Sequence, residues 1–342
     1  MEEHLSTFDE DFLQREYEEV ILAQAITEKD DYMRASRAGR GKPISRRQRL
    51  DIWNLVHQFN LIKSKSSLYY KDEIYQMVTL HLTERVEPEF SHVIVDELQD
   101  FSNAELRFLR SLTPEGKNDL FLVGDPLQNI YDRRITFSKA GINVRGKRSR
   151  RLRINYRTTE EIKNQAIKAI KGVDFEDFDG GIEEKHGYVS LFHGVQPEYE
   201  VFTNKNSELQ YVVEEIDKLT DLGYAHSDIV IAARTKNSVK DFRNFLHSKQ
   251  IPYVEKDLLN AANEGVRLST FHGMKGLEFK HVFLVDVNER TLPLKTYGFE
   301  SFSTDEQNTL IKREKALFYV CCSRAIERLM ISGVGRKSKI IE

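Results

Sequence analysis

The chain has 342 residues, 40% of them hydrophobic and 31% charged, with a formal net charge of −3. That is enough apolar material for roughly two cored domains, and the near-neutral balance excludes a globally basic nucleic-acid binder. The two cysteines are the neighbours Cys321 and Cys322, which excludes a disulfide framework. No stretch resembles a signal peptide and no apolar run nears the ~18 residues of a membrane span, so the expectation is a cytosolic protein with no membrane partner.

In chain order, the first 85 or so residues read as helical. Ile52, Leu55, Val56 and Phe59 recur at helical spacing around Trp53, and Ile74, Met77, Val78 and His81 form a second such face. No good strand precedes His92. From there short apolar runs alternate with amphipathic helices: HVIV (92–95), LFLV (120–123), LRI (152–154), YVSLF (188–192), DIVIAA (228–233), VRLST (266–270), HVFLVDV (281–287) and RLMIS (328–332). NAELRFLRSL, ELQYVVEEIDKL and VKDFRNFLHSK are three of the intervening helices. This alternation predicts parallel α/β layers. Thr158 to Glu161 has the spacing of a capping box and predicts a helix start. The acidic, glycine-containing stretch 174–187 predicts a loop or insertion. Two arginine-dense stretches, 34–49 and 145–153, can bind phosphate locally, although a solvated surface explains either one equally well.

Three predicted strand ends carry unusual polar sets, and open α/β sheets bind ligands at strand ends. In SHVIVDELQDFS a run expected to be a buried strand ends on Asp96 and Glu97. The first acid is placed to hold Mg2+ and the second to orient or deprotonate a water. LFLVGDPLQNIY supplies Gln128, suited to sensing a terminal phosphate, and Tyr131, suited to stacking on a base. LSTFHGMKGLEF brings Gly273 and Gly276, which admit close backbone approach, with Thr270, His272, Lys275 and Glu278 as donors and acceptor. Arg157 follows a predicted strand and Arg324 lies in or beside a helix; guanidinium groups stabilise charge on a transferring phosphoryl group. Each feature has a bland counterpart when taken alone: a helix N-terminus, a core tyrosine, a structural histidine, a turn, a surface ion pair. Their order and wording carry more than any one of them.

DELQD, VGDPLQNIY, LRINYR, STFHGMKGLEF and EKALFYVCCSRA together resemble motifs II, III, IV, V and VI of the UvrD/Rep-like superfamily 1A DNA helicases. The resemblance runs from about Phe90 to Ile331, and YMRASRAGRGKPISRRQR is loosely similar to the 1B region of some relatives. It implies an α/β fold of RecA-like P-loop NTPase lobes with parallel sheets. The expected division is a helical 1B-like region at 1–88, the C-terminal part of lobe 1A at 89–140 and lobe 2A at 141–342. It implies ATP and Mg2+ as cofactors, and single-stranded DNA or a single-strand/duplex junction as partner. By the same resemblance Asp96 would bind Mg2+ and Glu97 would activate water. Gln128, Arg157 and Arg324 would serve the γ-phosphate. Gly276 and Glu278 would meet the nucleotide, Glu278 at its ribose. Tyr131, Thr270, His272 and Lys275 would face DNA, in a translocase moving 3′ to 5′.

The sequence departs from the family in three places. No G-x-x-x-x-G-K-[ST] phosphate loop occurs in these residues. GINVRGKR (141–148) puts Arg148 where the hydroxyl belongs and lies after motif III, and GRGKPIS (39–45) puts Pro43 there. The first lobe is therefore expected to be incomplete. Three explanations are open: the C-terminal part of a longer helicase, one half of a split helicase whose N-terminal segment or partner chain carries the loop, or a non-hydrolysing DNA- or partner-binding module. The first two leave this chain alone inactive as an ATPase. DRR follows Tyr131 where many relatives have a further aromatic, and the gap from Arg157 to Thr270 leaves little room for a large 2B insertion.

Overall fold

The computed structural model describes residues 8, 10–35, 37, 43–84, 88–130, 135–144, 148–178, 181–184, 187–255, 264–295 and 299–341. The chain divides into two compact units. The first comprises Met1–Pro126, Tyr131–Ser149 and Glu176–Ile182; the second comprises Leu127–Ile130, Arg150–Phe175 and Glu183–Glu342.

The first unit opens with α1 (Glu10–Glu16), a π-helical turn (Tyr17–Leu22), α2 (Lys29–Arg34), α3 (Arg46–Lys65) and α4 (Lys71–Thr83). A reciprocal box starts α3: Ser45 Oγ accepts from the Gln48 amide, and Gln48 Oε1 accepts from the Ser45 amide at 2.9 Å. Ile52 and Val56 then pack with Tyr17, Val20, Ile21, Leu22 and Tyr32, while Phe59 at the end of the predicted stripe is 42% exposed. The second predicted face is not buried. Ile74, Met77 and Val78 on α4 stand 50%, 54% and 39% exposed. Polar contacts and one ring contact orient this helix instead: Glu73 accepts from Lys63 and from Tyr17 Oη, Gln76 donates to the Leu22 carbonyl, and Tyr75 packs on Phe108.

Among the described residues no strand precedes β1 (Val93–Val95), which pairs in parallel with β2 (Leu120–Leu122) around α5 (Asn103–Ser111). Val95, Leu98 and Leu106 form a core with Ile135, Phe137, Ala140 and Ile142. The expectation of a buried strand is corrected here. Side chains alternate across a strand, the described elements of this unit cover one face, and Ile94 and Phe121 on the other are 78% and 61% exposed.

The second unit holds a parallel pair, β3 (Ile154–Thr159) and β4 (Val189–Phe192), and a six-stranded parallel sheet. The large sheet has the order β5 (Glu198–Phe202), β10 (Ala325–Val334), β9 (Phe279–Val285), β6 (Ile229–Ala233), β8 (Val266–Thr270), β7 (Tyr253–Val254). Alternate residues serve its two faces. Val230, Ala232, Val282 and Leu284 pack with α6 (Glu160–Ala169) and α9 (Thr304–Ser323); Ile229, Ile231, Phe283 and Val285 pack with α7 (Lys205–Asp221) and α8 (Lys236–Ser248). Cover on both faces explains why these strands read as unbroken apolar runs. The α/β class with parallel sheets stands as expected. Two local expectations are corrected. Arg157 lies inside β3, and α6 is capped by Thr159, whose Oγ1 accepts from the Ile162 amide at 3.3 Å. Glu161 is drawn away from a capping role by the Gly194 amide at 2.8 Å.

His281 on β9 is 3% exposed, neither ring nitrogen has a hydrogen-bond partner, and the ring stands edge-on to Tyr224 at 4.2 Å. Burial holds its pKa below the ordinary value, with Glu327 and Asp228 opposing and Arg328 and Lys280 reinforcing the shift. The unfolded chain then binds this proton more readily than the folded one, so stability falls as pH drops below about 6.5. The expected loss is about 1.4 kcal/mol for each pH unit between the two values. Urea midpoints at several pH values between 5 and 8 should fall on acidification, and less steeply in His281→Phe. Parallel slopes for the two proteins would rule out this origin.

Candidate functional site

Beyond β1 the chain turns sharply. Glu97 adopts φ 53° and ψ 41°, a left-handed conformation that costs a residue with a Cβ roughly 1–2 kcal/mol. Three contacts hold it. The Glu97 amide donates to Asp96 Oδ1 at 2.8 Å, the Leu98 amide donates to the Val123 carbonyl at 3.0 Å, and the Glu97 carboxylate accepts from Gln99 Nε2. Gln99 is 1% exposed, and its Oε1 accepts from the Asp125 amide at 3.0 Å. One buried amide therefore ties the acid at the end of β1 to the turn at the end of β2. Gly124 is required in that turn, because a Cβ there would lie 2.7 Å from Leu98 Cβ. Sequence reading passed over Gln99, although an amide two residues beyond a paired acid was a signal that could have found it.

Asp96 is exposed. No group of three or more His, Cys, Asp or Glu side chains among the described residues could enclose a metal. Asp96 and Glu97 offer the one or two carboxylates that Mg2+ commonly takes, with phosphate oxygens and water to fill the rest of its shell.

In the second unit a short turn reshapes β3. Asn155 Oδ1 accepts from the Arg157 and Thr158 amides at 2.8 and 3.3 Å, and its Nδ2 donates to Thr158 Oγ1 at 2.6 Å. The register with β4 shifts between Asn155 and Thr159, the kind of irregularity that re-aims side chains. Tyr156 is left 66% exposed. Tyr156 and Arg157 line an open concavity of about 530 Å³ with Ile154, Asn155, Glu278 and Ile326. Arg157 is paired there with Glu278 at 2.7 Å. Tyr156 is a second residue that sequence reading missed, and its place beside Arg157 in NYR was the available signal.

Glu278 directly precedes β9, and Arg324 caps α9 directly before β10. The two segments touch where the Phe279 amide donates to the Arg324 carbonyl at 3.0 Å. Arg324 is 2% exposed and donates to Gln128 Oε1 and to the Val320 carbonyl. Gln128 is held in this unit by its neighbours Leu127 and Ile130, both buried in its core. Gln128, Arg157, Glu278 and Arg324 thus gather towards the amino ends of β9 and β10, while Asp96 and Glu97 stand in the first unit.

Thr270 and His272 occupy the opposite end of the large sheet, at the carboxyl end of β8. Thr270 Oγ1 accepts from the Gly273 amide at 3.3 Å. Partial burial, then the nearby Arg234 guanidinium, hold the His272 pKa below its ordinary value. Arg234 itself is clamped by Glu314 at 2.6 and 2.9 Å. Residues 271–278 run as a strap from this end of the sheet to the other. Phe271 and Met274, each 0% exposed, pin it to the core. Gly276 has φ 75° with open space around it, so glycine serves the backbone conformation there. Lys275 lies on the same strap. Tyr131 lies outside the described residues, as do 145–147 of the glycine-spaced string and 39–42 of the basic one. No helix among the described residues is long and apolar enough to cross a membrane.

The pattern of the UvrD-like helicase C-terminal domain matches residues 150–259 and 254–335, and that of the UvrD/REP helicase N-terminal domain matches 2–142. The chain is 26% identical to a candidate ATP-dependent DNA helicase of Acanthamoeba polyphaga mimivirus, over 70% of this chain and 34% of that protein. It is 30% identical to the ATP-dependent DNA helicase UvrD1 of Mycobacterium tuberculosis, over 48% of this chain and 22% of the relative. Against the ATP-dependent DNA helicase PcrA of Staphylococcus epidermidis the identity is 28%, over 52% and 25%. The match therefore spans about a third or less of the length of these relatives. With the C-terminal domain pattern covering more than half of the chain and the N-terminal pattern most of the rest, the protein belongs to the UvrD/Rep-like family of superfamily 1 helicases.

Proposed function

We propose that these residues are the motif II-to-VI portion of an ATP-dependent DNA helicase that translocates 3′ to 5′ on a single strand. The observation that carries this reading is the strap 271–278: it joins Thr270 and His272 at one end of the sheet to Glu278, beside Arg157 and Arg324, at the other. A segment anchored at its start by Phe271 and midway by Met274 can pass a displacement at a nucleotide to a group on DNA. In this reading Asp96 holds Mg2+ and Glu97 orients the attacking water. Bound Mg2+ neutralises charge building on the phosphates. Gln128 and Arg324, already hydrogen-bonded to each other, respond as one to the terminal phosphate, and Arg157 contacts it from the concavity. Tyr156 offers an exposed ring to the base, and Glu278 lies by the ribose. Tyr131, Thr270, His272 and Lys275 contact DNA, with Gly276 allowing close approach.

The phosphate loop is supplied from outside these 342 residues, by a further segment or a partner chain. The apolar face at Ile94 and Phe121, left exposed among the described residues, supports this, because parallel sheets are ordinarily covered on both sides. The lack of a phosphate-loop motif in the sequence favours one alternative, a DNA- or partner-binding module without turnover.

DNA binding tests the track. Labelled oligothymidine and a duplex of equal length, titrated at several salt concentrations, should show preference for the single strand and affinity that falls with salt. Tyr131→Ala should lose about 1–3 kcal/mol of that preference at unchanged fold. Equal affinity for both forms, or a Tyr131→Ala protein that binds as before but is less stable, would leave the tyrosine structural and the track without function.

A further inference from the structure

Arg157 and Glu278 are separated by more than a hundred residues in the chain, yet they form a 2.7 Å ion pair on the wall of the open concavity. Their side chains remain 46% and 39% exposed. A pair so exposed contributes little to folding. The turn built by Asn155 directs the Arg157 backbone, through the 2.8 Å bond to the Arg157 amide. The consequence of the pair is electrostatic. It neutralises the cation that lines the concavity and places a carboxylate where an anion would have to approach.

We propose that Glu278 is an internal competitor for Arg157, an acidic gate that a nucleoside triphosphate must displace before Arg157 can reach its phosphates. The proposal rests on the nucleotide reading of this concavity, whose volume of about 530 Å³ falls within the range of small-molecule sites. A triphosphate carries several negative charges against one on Glu278, so it wins Arg157 at close range, and its net affinity is lowered by the pair it opens. A diphosphate, with less charge, displaces the carboxylate less readily. The gate therefore costs the triphosphate more than the diphosphate and narrows the preference that direct contacts would supply. This role differs in sign from a simple ribose contact, for which loss of the carboxylate weakens binding.

Calorimetric titration of the full chain with ATP, ADP and adenosine separates the two. Glu278→Gln keeps the shape and an acceptor oxygen while removing the charge. It is expected to bind ATP about two- to fivefold more tightly than the parent chain, to gain less with ADP, and to leave adenosine unchanged. Arg157→Ala should weaken ATP binding, and Arg157→Ala with Glu278→Gln should match Arg157→Ala, because the gate has no effect without its partner. Weaker binding of ATP and adenosine alike by Glu278→Gln would overturn the gate, assign Glu278 to the ribose and leave the nucleotide reading standing. An unchanged ATP affinity, or the same gain in the Arg157→Ala background, would also overturn it. No measurable binding of ATP by any of the four proteins would remove both the gate and the nucleotide reading.

Discussion

Purified chain 1–342 is expected to hydrolyse ATP no faster than its own Glu97→Gln variant, with or without single-stranded DNA. In the proposed reading the acid pair, Gln128 and both arginines supply a water site and charge stabilisation. Holding the β- and γ-phosphates in line requires the backbone cradle and lysine of a phosphate loop, and the sequence contains no such motif. When a polypeptide bearing a strand, a G-x-x-x-x-G-K-[ST] loop and a helix is added in trans or fused, hydrolysis should appear. Glu97→Gln should then reduce it by about 10²–10⁴-fold, the range of a general base. Gln99→Leu should reduce it less, since Glu97 would keep its backbone position but lose the amide that holds its carboxylate. DNA-stimulated turnover by the chain alone, abolished by Glu97→Gln, would show that the phosphates are held by other groups. The module reading predicts that no added segment restores turnover.

Phe271→Ala is expected to cost about 3–5 kcal/mol of folding stability, the usual range for emptying a fully buried aromatic site. Phe271 is 0% exposed, stacks obliquely on Phe318 at 6.2 Å and sits where the strap leaves β8. Phe121→Ala removes a ring of the same size that is 61% exposed on β2 and should change stability by no more than about 0.5 kcal/mol. Urea denaturation of the two variants makes the comparison directly. A Phe271→Ala cost below about 1 kcal/mol would mean that the strap is not anchored as described. The expected loss also has a functional face. A strap released from the core no longer links Thr270 to Glu278, so nucleotide should cease to alter DNA affinity even under conditions where the variant remains folded.

Much of this protein was determined by its sequence alone. Ile229–Ala233 was legible as a strand because both faces of the large sheet are covered, which demands an unbroken apolar run. The paired acids at the end of β1 and the five ordered motifs were legible because the chemistry restricts residue type at fixed short spacing. The rest was decided by contacts between segments distant in the chain. β5, with the alternating EYEVF, and β7, of two residues, are edge strands whose existence depends on the neighbours they pair with. The stripe of Ile74, Met77 and Val78 has helical period but faces outward, because period specifies which residues share a side and not what lies opposite it. Arg157 and Glu278 meet only because β3 is bent by Asn155 and the strap ends beside it. Gln99 reaches both Glu97 and Asp125 only because β1 and β2 pair in register. Sequence records the demands a residue places on its immediate surroundings; strand order and register decide which charge it meets there.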